Sequence, residues 1–147
     1  MRRPLALLCW PLLVIGLAGC GATVSTSAFK GEQHEVAQTV ANLQADSTAG
    51  EVKKICTNDL ASGVAARLGG LTACEAAIKN ALDQVDSLEV SVQSVQISAV
   101  SARKPGVKTA SAKTASAKVR SIHNGKTRES SLSLVKERGK WKISGLG

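Results

Sequence analysis

The residues with the most distinctive chemistry in this chain are its cysteines, at positions 9, 20, 56 and 74. Cys20 stands directly behind Leu17-Ala18-Gly19, at the end of a short apolar segment that follows Arg2 and Arg3. A basic start, an apolar stretch and a cluster of small residues form the layout of a secretory signal. The chain is therefore predicted to be exported.

The sequence Leu17-Ala18-Gly19-Cys20 resembles the lipobox of bacterial lipoproteins. The resemblance implies cleavage between Gly19 and Cys20, with diacylglycerol and palmitate on Cys20 holding the protein to the extracytoplasmic face of the cell membrane. Residues 1–19 would be the signal peptide, and residues 20–28 the lipidated N-terminus and tether. A plain secretory signal and an uncleaved anchor are the alternatives. Pro11 argues against the anchor, because it interrupts a segment that needs about 20 apolar residues to span a membrane.

Cys56 and Cys74 remain once Cys9 is removed with the signal and Cys20 is acylated. An even pair in an exported, oxidising setting favours a disulfide. Closing a loop of about 18 residues would stabilise the fold by about 3 kcal/mol. The spacing of the two cysteines matches no zinc motif. Free buried thiols are therefore the alternative to a disulfide.

No catalytic pattern is recognisable in the sequence. There is no GxSxG motif, and no second histidine follows His34 at the spacing of a zinc-binding HExxH. His34 and His123 are isolated and are interpreted as surface or loop residues. Asp83 and Asp86 lie three apart on one predicted helix and are interpreted as a solvated face. We therefore predict no catalytic residue, no bound metal and no cofactor.

Charge is distributed unevenly along the chain. Residues 20–99 contain 5 lysines and arginines against 9 aspartates and glutamates, and residues 100–147 contain 12 against 2. The basic half is interpreted as a solvated sheet face, and docking to anionic lipid or an acidic wall polymer is the alternative. Basic residues without interleaved aromatics argue against nucleic-acid binding.

The apolar pattern predicts three helices in the first half of the chain. Phe29, Val36 and Val40 begin one amphipathic stripe, and residues 49–68 form a second helix with a restart and N-cap at Thr57-Asn58-Asp59. A third helix follows the Gly69-Gly70 pair and carries Cys74 on its apolar stripe.

After Ser87 the apolar period changes to two, which predicts strands. A bulge near Gln93-Ser94 absorbs a slip in the alternation, and Asn124-Gly125 marks a tight hairpin. The predicted fold class is α+β: residues 29–147 form one domain, with the three helices packed on a curved four-stranded antiparallel sheet.

This order of elements, with a cysteine in the second helix, another opening the third and a closing LSLVKERGKWKISGL at 132–146, resembles small exported lipoproteins of the nuclear transport factor 2-like (ketosteroid isomerase-like) superfamily. The resemblance implies a cone with a pocket, which some members use for catalysis and many only for binding. Isomerases of that superfamily rely on a carboxylate base and a tyrosine-type donor, and this chain has no tyrosine. Trp141 is expected in the core, with the pocket mouth as its alternative, and Phe29 is the other candidate for the pocket.

The sequence thus predicts a membrane-anchored envelope lipoprotein with a non-enzymatic domain that binds an apolar small ligand or an envelope protein. One alternative is a divergent cone-fold enzyme that uses an aspartate or histidine without tyrosine. The other is a basic sheet surface that docks anionic lipid or wall polymer.

Overall fold

The computed structural model describes residues 24–85, 89–100, 112–123 and 125–146. Gly19, Cys20 and Asp86 lie outside these ranges, as does the side chain of His123. The signal peptide, its cleavage and the acylated cysteine therefore stay predictions from the sequence.

Helices come first and strands second, as the change of apolar period predicts. The α-helices are α1 (Gly31–Thr48), α2 (Val52–Lys54), α3 (Ser62–Arg67) and α4 (Leu71–Leu82), and a π-helical turn, the π-turn (Ile55–Asp59), follows α2. The strands are β1 (Glu89–Val100), β2 (Ala112–His123), β3 (Lys126–Glu137) and β4 (Lys140–Leu146), which pair in chain order as an antiparallel sheet. The α+β fold class is confirmed.

The core lies between α1 and one face of the sheet. Val36 and Val40 on α1 are 0% and 1% exposed, which confirms these two members of the predicted helical stripe, whereas Phe29 precedes the helix. The two valines pack against side chains that alternate along each strand, as residues on one face of a sheet must. The buried strand residues of this cluster are Val95, Ala115, Ala117, Val119, Leu132, Leu134, Trp141 and Ile143.

Two bulges interrupt the pairing of the sheet. Val92 pairs with Val119 and Ser94 with Lys118, so Gln93 is the extra residue, at the predicted place. A second bulge leaves Ser144 unpaired between Ile143 and Gly145, and the sequence pattern did not predict it. Bulges bend a strand and increase its twist, so both contribute curvature to the sheet.

The second predicted helix is not continuous. It divides into α2, the π-turn and α3, and the break lies at Leu60 and Ala61, after the expected restart at Thr57-Asn58-Asp59. The backbone N–H of Ala61 donates to the carbonyl of Ile143 at 2.8 Å. Pairing with β4 therefore draws the chain out of helical geometry at this point, so four α-helices replace the expected three.

Helix α4 packs mainly on the π-turn, α2 and α3, and less on the sheet. Of its predicted apolar stripe only Cys74 is fully buried, and Leu71 is 42% exposed. None of the helices in the described ranges combines the length and hydrophobicity that a membrane crossing demands.

Candidate functional site

Cys56 and Cys74 form a disulfide that joins the π-turn to α4, with their Cα atoms 6.1 Å apart. Both residues are buried, at 4% and 0% exposure. The helical stripe of α4 points Cys74 inward, and the π-turn points Cys56 toward it. The bridge therefore ties α4, which packs mainly on other helices, to the π-turn, which contacts the sheet.

Trp141 and Phe29, the two candidates for a pocket, both contact the core. Trp141 is 4% exposed on β4, and its indole Nε1 finds no hydrogen-bond partner in the described part of the chain. Phe29 is half-buried against the same cluster. The structure thus places Trp141 in the core, the first of the two positions expected for it, and away from a solvent-facing mouth.

The isolated polar residues considered for catalysis lie at the surface where the structure describes them. His34 is exposed, and its Nδ1 donates to the carbonyl of Thr26 at 3.1 Å. Asp83 is exposed and forms an ion pair with Lys79 at 2.8 Å. Both side chains therefore face solvent, as the interpretation of the sequence expects.

The sequence analysis missed Asp59 as a chemically unusual residue. It is 4% exposed at the end of the π-turn, and its Oδ2 has no hydrogen-bond partner among the described residues. Burial, and then the neighbouring carboxylate of Asp46 on α1, raise the pKa of Asp59 from 3.8 to about 7, against a smaller opposing effect of Lys142. The only signal in the sequence is that Asp59 belongs to a predicted helix cap. The burial of Asp59 depends on a turn that contacts with distant residues stabilise.

The surroundings of Asp59 favour a structural role for it. Asp46 contributes to its raised pKa, so protonation of Asp59 relieves repulsion between two acidic groups, and the ammonium of Lys142 donates to the carbonyl of Thr57 at 2.6 Å. π-helical turns occur frequently at functional sites. However, the free Oδ2 exposes less than 1 Å², so a substrate could reach it only after the domain opens locally.

The chain joins the domain beside the start of α1. Val24 is buried at 9% exposure, and the carbonyl of Thr26 also accepts the backbone N–H of Phe29 at 3.1 Å. Residues 24–28, expected to belong to the tether, therefore contact the domain. The chain enters the fold no later than Val24, four residues after Cys20.

An ion cluster covers the core at this same end. The ammonium groups of Lys113 and Lys136 both lie 2.9 Å from the carboxylate of Glu32, and Lys136 also reaches Glu35 at 3.0 Å. Hydrogen bonds from the two lysines lower the pKa of Glu32, and the bonds to Glu32 and Glu35 raise the pKa of Lys136. The same ammonium lies 5.5 Å from the ring centroid of Trp141, in cation–π range.

We call this end of the domain the tether end. It comprises the segment from Val24 to the first turn of α1, the start of β2 and the β3–β4 turn. Its basic residues in the described ranges are Lys30, Lys113, Lys136, Arg138 and Lys140.

No family model and no curated protein matches the chain. Among solved structures, a variant with five substitutions of a protein named Rd1NTF2 is similar at 17% sequence identity and a TM-score of 0.47, over 79% of this chain and 97% of that chain. A likeness this remote says nothing about ligand, partner or activity. The assignment to the nuclear transport factor 2-like superfamily therefore stays a prediction.

A hollow of about 230 Å³ lies beside the β1 bulge. Its lining consists mainly of polar and charged residues, namely Gln93, Lys118, Val119, Glu129, Ser130 and Ser131. None of the candidate site residues predicted from the sequence borders it. In the described ranges, no three histidine, cysteine, aspartate or glutamate side chains come together as a metal site.

Proposed function

We propose that this chain is a bacterial envelope lipoprotein, anchored through an acylated Cys20 at the extracytoplasmic face of the cell membrane. Its single α+β domain would bind a ligand or partner without catalysing a reaction. The observation that carries the proposal is the burial of Val24, four residues after Cys20. The domain thus reaches at least as far as a residue four positions behind the expected acylation point, which supports a short connection between lipid and domain.

The anchor would hold the domain close to the bilayer. Four residues in extended conformation span at most about 14 Å. One myristoyl chain binds a membrane only marginally, whereas two or three long chains on one cysteine hold it essentially irreversibly. A permanently attached domain on so short a connection would act at the membrane surface.

The disulfide supports an exported location. Disulfides form and persist outside the cytosol, in the periplasm and beyond. Cys56 and Cys74 are both buried, and their bond links the π-turn to α4, which packs little on the sheet. A domain built this way depends on an oxidising compartment for part of its stability.

Metabolic labelling with a fatty-acid analogue, followed by the intact mass of the membrane-extracted protein, tests the proposal. We expect a chain that starts at Cys20 and carries acyl groups. Cys20→Ser should abolish both labelling and cleavage. Cys9→Ser changes a cysteine within the signal and should leave the mature protein identical in mass. A native chain that starts at Met1, or one without acyl groups, would overturn the anchor.

The absence of catalysis is tested separately. The purified native protein is assayed for hydrolase and isomerase activity and examined by native mass spectrometry for a co-purifying molecule. We expect no turnover and a bound ligand or partner. An activity that survives purification and is lost on a single polar substitution, with Asp59→Asn as the first to try, would replace binding with the divergent enzyme.

A further inference from the structure

The tether end is the part of the domain that a lipid on Cys20 would bring to the membrane. The connection from Cys20 to Val24 reaches at most about 14 Å. Val24 is buried, and Thr26 is held by hydrogen bonds to Phe29 and His34, so the domain has little freedom to turn this end away.

Three basic side chains at this end are exposed and form no ion pair with another described residue: Lys30, Arg138 and Lys140. Lys113 and Lys136, by contrast, are neutralised by Glu32 and Glu35. With Glu137 included, five basic residues face three acidic ones, so this end keeps a positive excess that is concentrated on the three unpaired side chains.

The β3–β4 turn presents one of these charges at an unusual backbone conformation. Arg138 has φ +50° and Gly139 has φ +81°, the left-handed pair of a two-residue hairpin turn. Arg138 is the one non-glycine residue with positive φ in the described ranges. Asparagine, aspartate or glycine normally occupies this position, and here an exposed arginine occupies it instead.

We propose that the tether end docks onto the anionic phospholipid headgroups of the membrane that holds Cys20, through Lys30, Arg138 and Lys140. This proposal rests on the proposed function, because acylation of Cys20 is what would hold the tether end near the membrane. The choice of anionic phospholipid as the partner rests on the positive charges of the tether end. Docking fixes one orientation of the domain, with the β2–β3 turn pointing away from the bilayer. The attraction is electrostatic and falls off within a Debye length of about 10 Å at 0.1 M salt.

The opposite end of the sheet supplies a matched control. Lys126 and Arg128 lie beside the β2–β3 turn and are exposed, and they form no ion pair with another described residue. Arg138→Gln with Lys140→Gln and Lys126→Gln with Arg128→Gln therefore remove the same charge from opposite ends of the domain.

The test is co-sedimentation of the mature chain, from residue 20 with Cys20→Ser, with phosphatidylcholine vesicles that contain or lack phosphatidylglycerol. Each protein is first checked for its disulfide and its circular dichroism. We expect binding that requires phosphatidylglycerol and weakens with salt. Each basic residue near an anionic surface contributes about a fivefold change in partitioning, so the tether-end pair should lower it about 25-fold and the control pair far less.

Three results would overturn docking: no binding to phosphatidylglycerol, equal losses for the two pairs, or binding to a soluble acidic wall polymer with none to vesicles. Because this assay uses a chain without the lipid, its outcome is independent of acylation. Failure of docking would leave the anchor standing, and an unacylated native Cys20 would leave vesicle binding measurable.

Discussion

The buried carboxyl group of Asp59 on the π-turn lies close enough to the carboxyl group of Asp46 on helix α1 for Asp46 to influence its ionisation. Burial first and Asp46 second raise the pKa of Asp59 to about 7, from 3.8 for an unperturbed side chain. Between these two values the folded protein binds a proton that the unfolded chain has lost. The free energy of unfolding therefore falls as pH rises from about 4 to about 7.

We expect Asp59→Asn to stabilise the domain at high pH. The amide keeps the shape of the side chain and carries no charge at any pH, so it removes the cost of ionising a buried carboxyl group near Asp46. The gain in unfolding free energy should be absent near pH 4 and should grow to an upper limit of about 4 kcal/mol near pH 8. Urea denaturation at both pH values measures it.

Asp83→Asn is the control for this prediction. Asp83 is exposed and pairs with Lys79 on the surface of α4, so its replacement should not stabilise the protein at either pH. If the difference in unfolding free energy between Asp59→Asn and the parent protein is the same at both pH values, Asp59 does not hold a proton in the folded state.

The features that the sequence predicts correctly are set by local pattern. Val36 and Val40 repeat at the spacing of a helix face, and Gln93 lies where the strand alternation slips by one residue. The pair of half-cysteines, Cys56 and Cys74, followed from counting thiols in an exported chain. Each of these inferences needs only neighbouring residues or composition.

The features that the sequence misses are set by contacts between distant segments. Asp59 reads as a helix cap in the sequence. It is buried because Ala61 pairs with Ile143 on β4, which ends the preceding helix in a π-turn and turns Asp59 inward. No local sequence pattern indicates that residues as far apart in the chain as Ala61 and Ile143 will pair. The raised pKa of Asp59 could therefore not be predicted from the sequence.

Removal of the disulfide should destabilise the domain substantially. We expect the double variant Cys56→Ala and Cys74→Ala to unfold with a free energy about 3 kcal/mol lower than the parent, because the unfolded chain regains the entropy of the closed loop. Thermal unfolding followed by circular dichroism measures the change. Reductant should lower the melting temperature of the parent and leave that of the variant unchanged, and an equal effect on both would argue against the bridge.

Glu32 should stabilise the domain only while it is ionised. Hydrogen bonds from Lys113 and Lys136 lower the pKa of Glu32 below 4.5, so its contribution is present above that pH and is lost as pH falls through the lowered value. We expect Glu32→Gln to lower the melting temperature at neutral pH, and the deficit to shrink in acid and in high salt. Glu75→Gln on α4 is the control, since Glu75 forms no ion pair with another described residue. A deficit that persists below pH 3 would show that the side chain acts through packing.

Glu137 should stabilise helix α3 from outside it. Its carboxylate accepts the backbone N–H of Ser62 at 3.2 Å and the Ser62 hydroxyl at 3.0 Å, while Ala61 at the N-cap has no side-chain cap. We expect Glu137→Ala to cost about 1 kcal/mol of unfolding free energy, the usual cost of a lost helix cap. Ser62→Ala should cost less, because the backbone N–H keeps its partner, and the two losses should be non-additive in a double-mutant cycle.

Glu129→Ala is the matched control for the cap, a glutamate on the same strand whose partner is the exposed Arg120 at 3.1 Å. Exposed ion pairs contribute little to stability, so Glu129→Ala should lower the unfolding free energy much less than Glu137→Ala does. If the losses of unfolding free energy for Ser62→Ala and Glu137→Ala are additive, the two residues do not interact energetically. In that case the β3–β4 hairpin would not hold α3 in place, and the contact between them would follow from the pairing of Ala61 with Ile143 alone.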